Sequence, residues 1–201
     1  MAWTKDGNLG AEFALADFGP DDLRADGFAI GFEPEPYRLE YKLQTTSRFV
    51  TSRVVVVAHG DGWVRQLDLH RASDGRWGAK VQQQGTAALP DAGGDTPSLA
   101  GAGDVDLGLS PLFNTMPVLR HGLHDAGGPV DFLMAWISVP DLSVHPSPQR
   151  YTHLETRSAD ERVVRFDATG DDFTADVLFD ADGFVIDYPG IATRFRGGDK
   201  G

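Results

Sequence analysis

Asp-Gly pairs at Asp6-Gly7, Asp26-Gly27, Asp61-Gly62, Asp74-Gly75 and Asp182-Gly183 cut the chain into short stretches. Both residue types tolerate positive φ, so such a pair between apolar-patterned runs marks a tight reversal between antiparallel strands. The stretches between them alternate with period two. Tyr37, Leu39, Tyr41 and Leu43 fall on one face, and Arg38, Glu40, Lys42 and Gln44 on the other, as in a half-buried strand. Phe173, Ala175, Val177 and Phe179 repeat the pattern, followed by Phe184, Ile186 and Tyr188. Strands are expected near residues 11–17, 26–33, 36–45, 50–59, 62–71, 76–84, 130–139, 149–157, 162–168, 172–180, 183–188 and 191–196. Residues 54–57 are all valine, which predicts a strand covered on both faces. A sheet of about a dozen strands curls rather than staying flat. The expected fold class is therefore all-β: a single domain over residues 1–201, an antiparallel meander rolled into a barrel-like or spiral sheet.

Composition narrows the function. At 201 residues the chain can bury a full core. It has no cysteine, which excludes disulfides, thiolate metal sites and a cysteine nucleophile. A formal net charge of −12 repels phosphate backbones, and no basic cluster interrupts it, so nucleic acid is excluded as a partner. No apolar run is long enough to span a membrane and the start has no basic, then apolar, leader pattern, so a cytoplasmic protein is expected. Residues 85–103, rich in Gly, Ala, Pro and Asp, are expected to form a long flexible loop, and the tail 197–201 is expected to be disordered.

Residues 104–123 are the longest run that does not read as ordinary strand and turn. Asp104, Asp106, Asn114, Thr115 and Arg120 stand among Leu107, Leu109, Leu112, Phe113, Met116, Val118 and Leu119. Polar groups in such surroundings require partners or ligands. Pro111 and Pro117 rule out one uninterrupted helix or a central strand, so a crossing segment with a short helical turn is expected. Asp104-x-Asp106 supplies only two of the six or more oxygens a hard cation requires. His121-x-x-His124 lacks a third zinc ligand and suits a helix end. No metal site, no cofactor and no nucleophile–base–orienter set follows from these spacings. Trp63, Trp77, Trp136, Tyr151 and Tyr188 fall on expected strands, with Gln149, Tyr151 and His153 sharing a strand face. A curved sheet offering aromatic bodies with polar tips suits a ligand that has an apolar part and a hydrogen-bonding head.

The order Asp104-Val105-Asp106-Leu107, Ser110-Pro111, Asn114-Thr115-Met116-Pro117, Arg120, Gln149-x-Tyr151 and Asp182-Gly183-Phe184-Val185-Ile186-Asp187-Tyr188-Pro189-Gly190 resembles the bacterial proteins described as a glycolipid-binding domain family. Tyr37, Tyr41, Thr51-Ser52-Arg53 and Gly75-Arg76-Trp77 match that family's hairpins, so the resemblance covers nearly the whole chain. It implies a rolled antiparallel sheet similar to lipoprotein carriers, and a glycolipid ligand. The family tends to carry paired arginines where this chain has Leu119 followed by Arg120, so a grip on an anionic head would rest on Arg120 alone.

Three readings follow. In the first, a non-enzymatic carrier or sensor holds a small amphipathic molecule or glycolipid inside the roll, with Arg53, Asn114, Arg120, Gln149, Tyr151, Tyr188 and Trp77 as ligand-binding residues and Asp104 and Asp106 as structural anchors. In the second, a hydrolase-like enzyme uses Asp104 or Asp106 as general acid or base on a small glycoside or lipid, which needs two carboxylates roughly 5 to 10 Å apart in one pocket. In the third, Asp104, Asp106, Asn114 and Arg120 form a buried network that only plugs the roll.

Overall fold

In the computed structural model, which describes residues 1–7, 10–170 and 172–195, the strands run β1 (Ala2–Lys5), β2 (Gly10–Phe18), β3 (Leu23–Gly31), β4 (Tyr37–Thr45), β5 (Thr51–Gly60), β6 (Trp63–Arg71), β7 (Trp77–Gly85) and β8 (Asp104–Leu107). A seven-residue helix, α1 (Thr115–His121), precedes β9 (Val130–Ile137), β10 (Val144–Thr156), β11 (Arg162–Ala168), β12 (Phe173–Phe179), β13 (Val185–Tyr188) and β14 (Ala192–Arg194). All fourteen belong to one sheet in the order β7-β6-β5-β4-β3-β2-β1-β14-β13-β12-β11-β10-β9-β8. The chain starts at the middle of the sheet, steps out to the β7 edge, crosses to the β8 edge and steps back until β14 pairs with β1. Every pairing is antiparallel except β8 with β9, which is the consequence of that crossing.

The sheet curls, but its two edge strands do not pair, so of the expected barrel-like or spiral forms the barrel is not closed and the roll is open. The curl shows in contacts between distant strands. Thr51 at the start of β5 donates its N–H to Gly103 O (3.2 Å), and its hydroxyl accepts from Val105 N–H (3.3 Å) on the opposite edge. The segment from Leu99 to Met116 fills the interior, where Leu99, Ala102, Val105, Leu107, Leu112, Phe113 and Met116 pack against Trp3, Leu39, Tyr41, Leu43, Val54, Val56 and Leu67. A smaller core joins Val118 and Leu123 to Tyr151, Val164, Val177, Phe179 and Val185. Helix α1 thus lies between the two cores, with Met116 in one and Val118 in the other. Its Pro117 sits in the first turn, where no intrahelical donor is needed, and Gly122 ends it at φ 62°.

The expected alternation of β4 holds residue by residue, from buried Tyr37 to buried Thr45. Four local expectations are corrected. Strands β1 and β8 were not foreseen. Asp26-Gly27 is no turn: it lies inside β3, where Gly27 pairs with Ala14 on one side and Tyr41 on the other. The Tyr41 ring covers that glycine so closely that a Cβ there would lie 2.0 Å from Cζ. The four valines are covered on one face only: Val54 and Val56 are buried, while half-buried Val55 and Val57 stand outward between Lys42 and Asp68 and between Glu40 and Gln66. Long polar stems shelter them there.

The connector 85–103 is irregular, as expected, but it is pinned at several points. The Arg65 guanidinium donates to Asp141 O (2.9 Å) and to the carbonyl of Pro90, and Ala102 O accepts from the Arg71 guanidinium and the Trp77 indole (3.1 Å each). The tail 197–201 lies outside the described residues. Among the described residues no helix is long and apolar enough to cross a membrane.

Candidate ligand-binding cleft

Prolines open the sheet at one place. Strand β10 pairs with β9 from Val144 onward, but its pairing with β11 begins only at Gln149. Pro146 and Pro148 occupy the half with a free edge, where a missing N–H costs no ladder bond. Between this splayed half, the segment that follows β8 and the ends of β11 to β13 lies a cleft of about 610 Å³. That volume is within the usual range for small-molecule sites. One wall is aromatic: Phe166, Phe173 and Tyr188 hold ring centroids 5.9 to 6.2 Å apart, and Trp136 lines the other side beside His145.

The floor is a connected polar chain. Gln149 donates its amide N–H to Asp106 Oδ2 (2.6 Å). The Tyr151 hydroxyl lies 3.1 Å from Asn114 Oδ1 and 3.2 Å from Gln149 Oε1, its one proton serving one oxygen at a time. Burial pushes the Asp106 carboxyl up to about 6, against the pull of the Gln149 bond. Burial raises Tyr188 as well, with the Asp106 charge adding to it, and the same two causes hold Tyr151 well above the ordinary phenol range. Next to this floor, Ser110 lines the cleft and donates its hydroxyl to Glu12 Oε1 (2.6 Å), which also accepts from the Tyr41 hydroxyl (2.7 Å). Burial raises the Glu12 carboxyl, with nearby Lys5 opposing.

Of the residues expected to bind a ligand, Asn114, Gln149 and Tyr188 line the cleft, and Tyr151 lies directly behind Asn114 and Gln149. The other three are elsewhere. Arg53 projects from the outer face of β5, paired with Asp68 through two bonds of 2.8 Å. Trp77 is buried in the larger core with its indole on Ala102 O. Arg120 is nearly buried and fully committed: it donates to Arg48 O (2.8 Å), to Phe49 O (3.1 Å) and to the Asp104 carboxylate.

The two expected anchors separate in the same way. Asp104 is buried at 0 % exposure in that ion pair, its carboxyl pushed up by burial and pulled back by Arg120. Asp106, by contrast, faces the cleft. The pocket with two carboxylates that glycoside chemistry requires is therefore not formed by this pair, because Asp104 does not line the cleft.

Trp136, read from the sequence only as one of the strand aromatics, lines the cleft, whereas His145, Phe166, Phe173 and Ser110 were not foreseen as wall residues. The prolines of β10 carried a signal for His145, and the apolar alternation of β12 one for Phe173, whereas Ser110 had none beyond its neighbour Pro111. Glu12 was hidden by an inverted strand. In β2 the small residues and Glu12 point inward, and Phe13 and Leu15 point outward, 49 % and 63 % exposed.

A family model described as putative glycolipid-binding matches residues 1–194. A crystal structure of a DUF1089 family protein from Pseudomonas aeruginosa is similar over 92 % of both chains, at 25 % identity and a TM-score of 0.68. No curated protein matches this sequence. The family match spans the β8 segment, α1 and the strands that together build the cleft, and it agrees with the resemblance read from the motifs: the chain belongs to the putative glycolipid-binding family.

Proposed function

We propose that this protein is a non-enzymatic carrier or sensor that seats an amphipathic molecule of the glycolipid kind in the cleft, on a rolled sheet of the lipoprotein-carrier type. The single observation that supports this most is the pairing of an aromatic wall, Phe166, Phe173 and Tyr188, with a polar floor, Asp106, Asn114 and Gln149, in one cleft of about 610 Å³. An acyl or alkyl portion lies against the rings and a hydroxyl-rich head meets the floor. The family description favours the same ligand class.

Native mass spectrometry of protein purified without detergent, with thermal shifts across glycolipids and fatty acids, tests the reading. A bound amphiphile, or a rise in melting temperature that disappears in an Ala168→Trp variant filling the cleft, is expected. Absence of both would overturn it.

A further inference from the structure

We propose that the cleft selects its ligand by the charge of the head group, admitting neutral hydroxyl-bearing heads and turning away phosphate, sulfate and carboxylate heads. The inference rests on the amphiphile-binding reading above and adds the sign of charge to it. No lysine or arginine lines the cleft among the described residues. On the surrounding strands Arg150 is committed to Asp131, Arg165 to Asp176 and Arg194 to Asp180, and Arg162 donates to the carbonyls of Ser158, Ala159 and Glu161. Arg120, in the last turn of α1, is held by Asp104 and two carbonyls. Lys5 is buried near Glu12, on the far side of Ser110, and does not line the cleft. His145, the basic ring on the rim, has Nε2 at 3.0 Å from Ser143 Oγ. The formal charge facing the cleft is thus that of Asp106, since Glu12, behind Ser110, has Lys5 beside it.

The free hydrogen-bonding groups point the same way. Among the described residues no donor reaches the second oxygen of Asp106 and no partner meets the Tyr188 hydroxyl, although both line the cleft. A ligand hydroxyl can donate to the first and accept from the second. A phosphate or carboxylate oxygen only accepts, so it would meet the Asp106 carboxylate with nothing to offer it, in surroundings where like charges repel more strongly than in water.

The test compares decyl maltoside with decyl phosphate, both below their micelle concentrations at pH 7.5, by titration calorimetry on the intact protein. The maltoside is expected to bind at least tenfold more tightly, and Asp106→Asn to narrow the ratio chiefly by improving the phosphate. Equal or tighter binding of decyl phosphate, abolished by Ala168→Trp, would overturn the charge selection while leaving the cleft reading intact. A preference for maltoside that Asp106→Asn leaves unchanged would overturn the role of Asp106. Failure of both ligands to bind, or binding of both that ignores Ala168→Trp, would sink the cleft reading and this inference with it. Should Asp106→Asn not fold, the contrast between the two ligands on the unaltered protein still decides the proposal.

Discussion

Asp104 and Asp106 leave the same face of β8, two residues and about 7 Å apart along the strand, and end in opposite surroundings. Asp104 is closed over by Arg120 from the last turn of α1, and the same guanidinium reaches back to the carbonyls of Arg48 and Phe49 in the β4–β5 connection. Asp106 stands beside Ser110 and Asn114, the residues that lead into the helix, where the segment borders the cleft, and its partner is an amide. One strand thus carries a carboxylate matched by a cation, which closes the roll, and a carboxylate left without one, which faces a possible ligand. The Asp104–Arg120 pair, at the two ends of this segment, fits the third reading of the sequence, a structural plug, whereas Asp106, Ser110 and Asn114 between them border the cleft.

The largest effect should come from breaking the closed side. Arg120→Ala leaves the Asp104 carboxylate buried without its cation and strips two carbonyls of their donor. Removing one partner of a buried pair costs about 3–5 kcal/mol. Arg48 and Phe49 add to it, because both hold positive φ (58° and 57°), which non-glycine residues seldom adopt, and Arg120 is what fixes their carbonyls. Urea denaturation should show a loss of that size. Whatever fraction remains folded should bind amphiphile as before, since Arg120 does not line the cleft. Retained stability combined with lost binding would reverse the assignment of the two carboxylates.

This division was only partly legible in the sequence. The meander was, because hairpin chemistry and two-residue alternation are local, and nearly every expected strand is present within a few residues. Asp26-Gly27 shows where local chemistry gives way: the pair has a turn's composition, yet the Tyr41 ring needs a glycine beneath it on the neighbouring strand, and that tertiary demand keeps the strand running straight. Arg53 was misplaced for a different reason. Its strand is apolar on both faces, so alternation alone could not say whether Val54 and Val56, or Val55 and Val57 with Arg53, turn inward. Nor could spacing tell Arg120 from Asn114, because what separates them is the β4–β5 connection, some seventy residues upstream in the chain. The family motif named Asn114, Gln149, Tyr151 and Tyr188, which the fold brings to or beside one cleft, while Glu12 stayed hidden in a strand whose apolar side chains face outward.

A smaller effect, of opposite sign, is expected on the open side. The Asp106 carboxyl is raised in the folded protein to about 6 from its ordinary 3.8. A raised group contributes stability that is fully present below the unfolded value and is lost as pH rises through the folded one, so ionised Asp106 weakens the fold above pH 6. Asp106→Asn keeps an oxygen for the Gln149 amide and removes the charge. It should stabilise the protein by about 1.5 kcal/mol at pH 7.5, a figure reduced below the full linkage value because the cleft admits water. The advantage over the unaltered protein should shrink between pH 6 and 4 and vanish below about pH 4. A variant less stable at pH 7.5, or a difference that does not change with pH, would mean that Asp106 is held by partners beyond Gln149.

Arg53 supplies the control, because its pair with Asp68 joins the same two residue types as Arg120 and Asp104 in the opposite setting. The guanidinium makes two bonds of 2.8 Å, better geometry than many buried pairs, but it does so on the outer face of β5 with half of the side chain in water. There the attraction is screened by solvent and salt and offset by the entropy of holding a long side chain. Arg53→Ala should leave the urea midpoint unchanged within error at physiological salt, and it should leave amphiphile binding unchanged because the side chain points away from the cleft. A midpoint shift approaching that of Arg120→Ala would show that burial is not what separates the two pairs. A loss of binding would place the ligand on the outer face of the roll, where the sequence alone had allowed Arg53 to meet it.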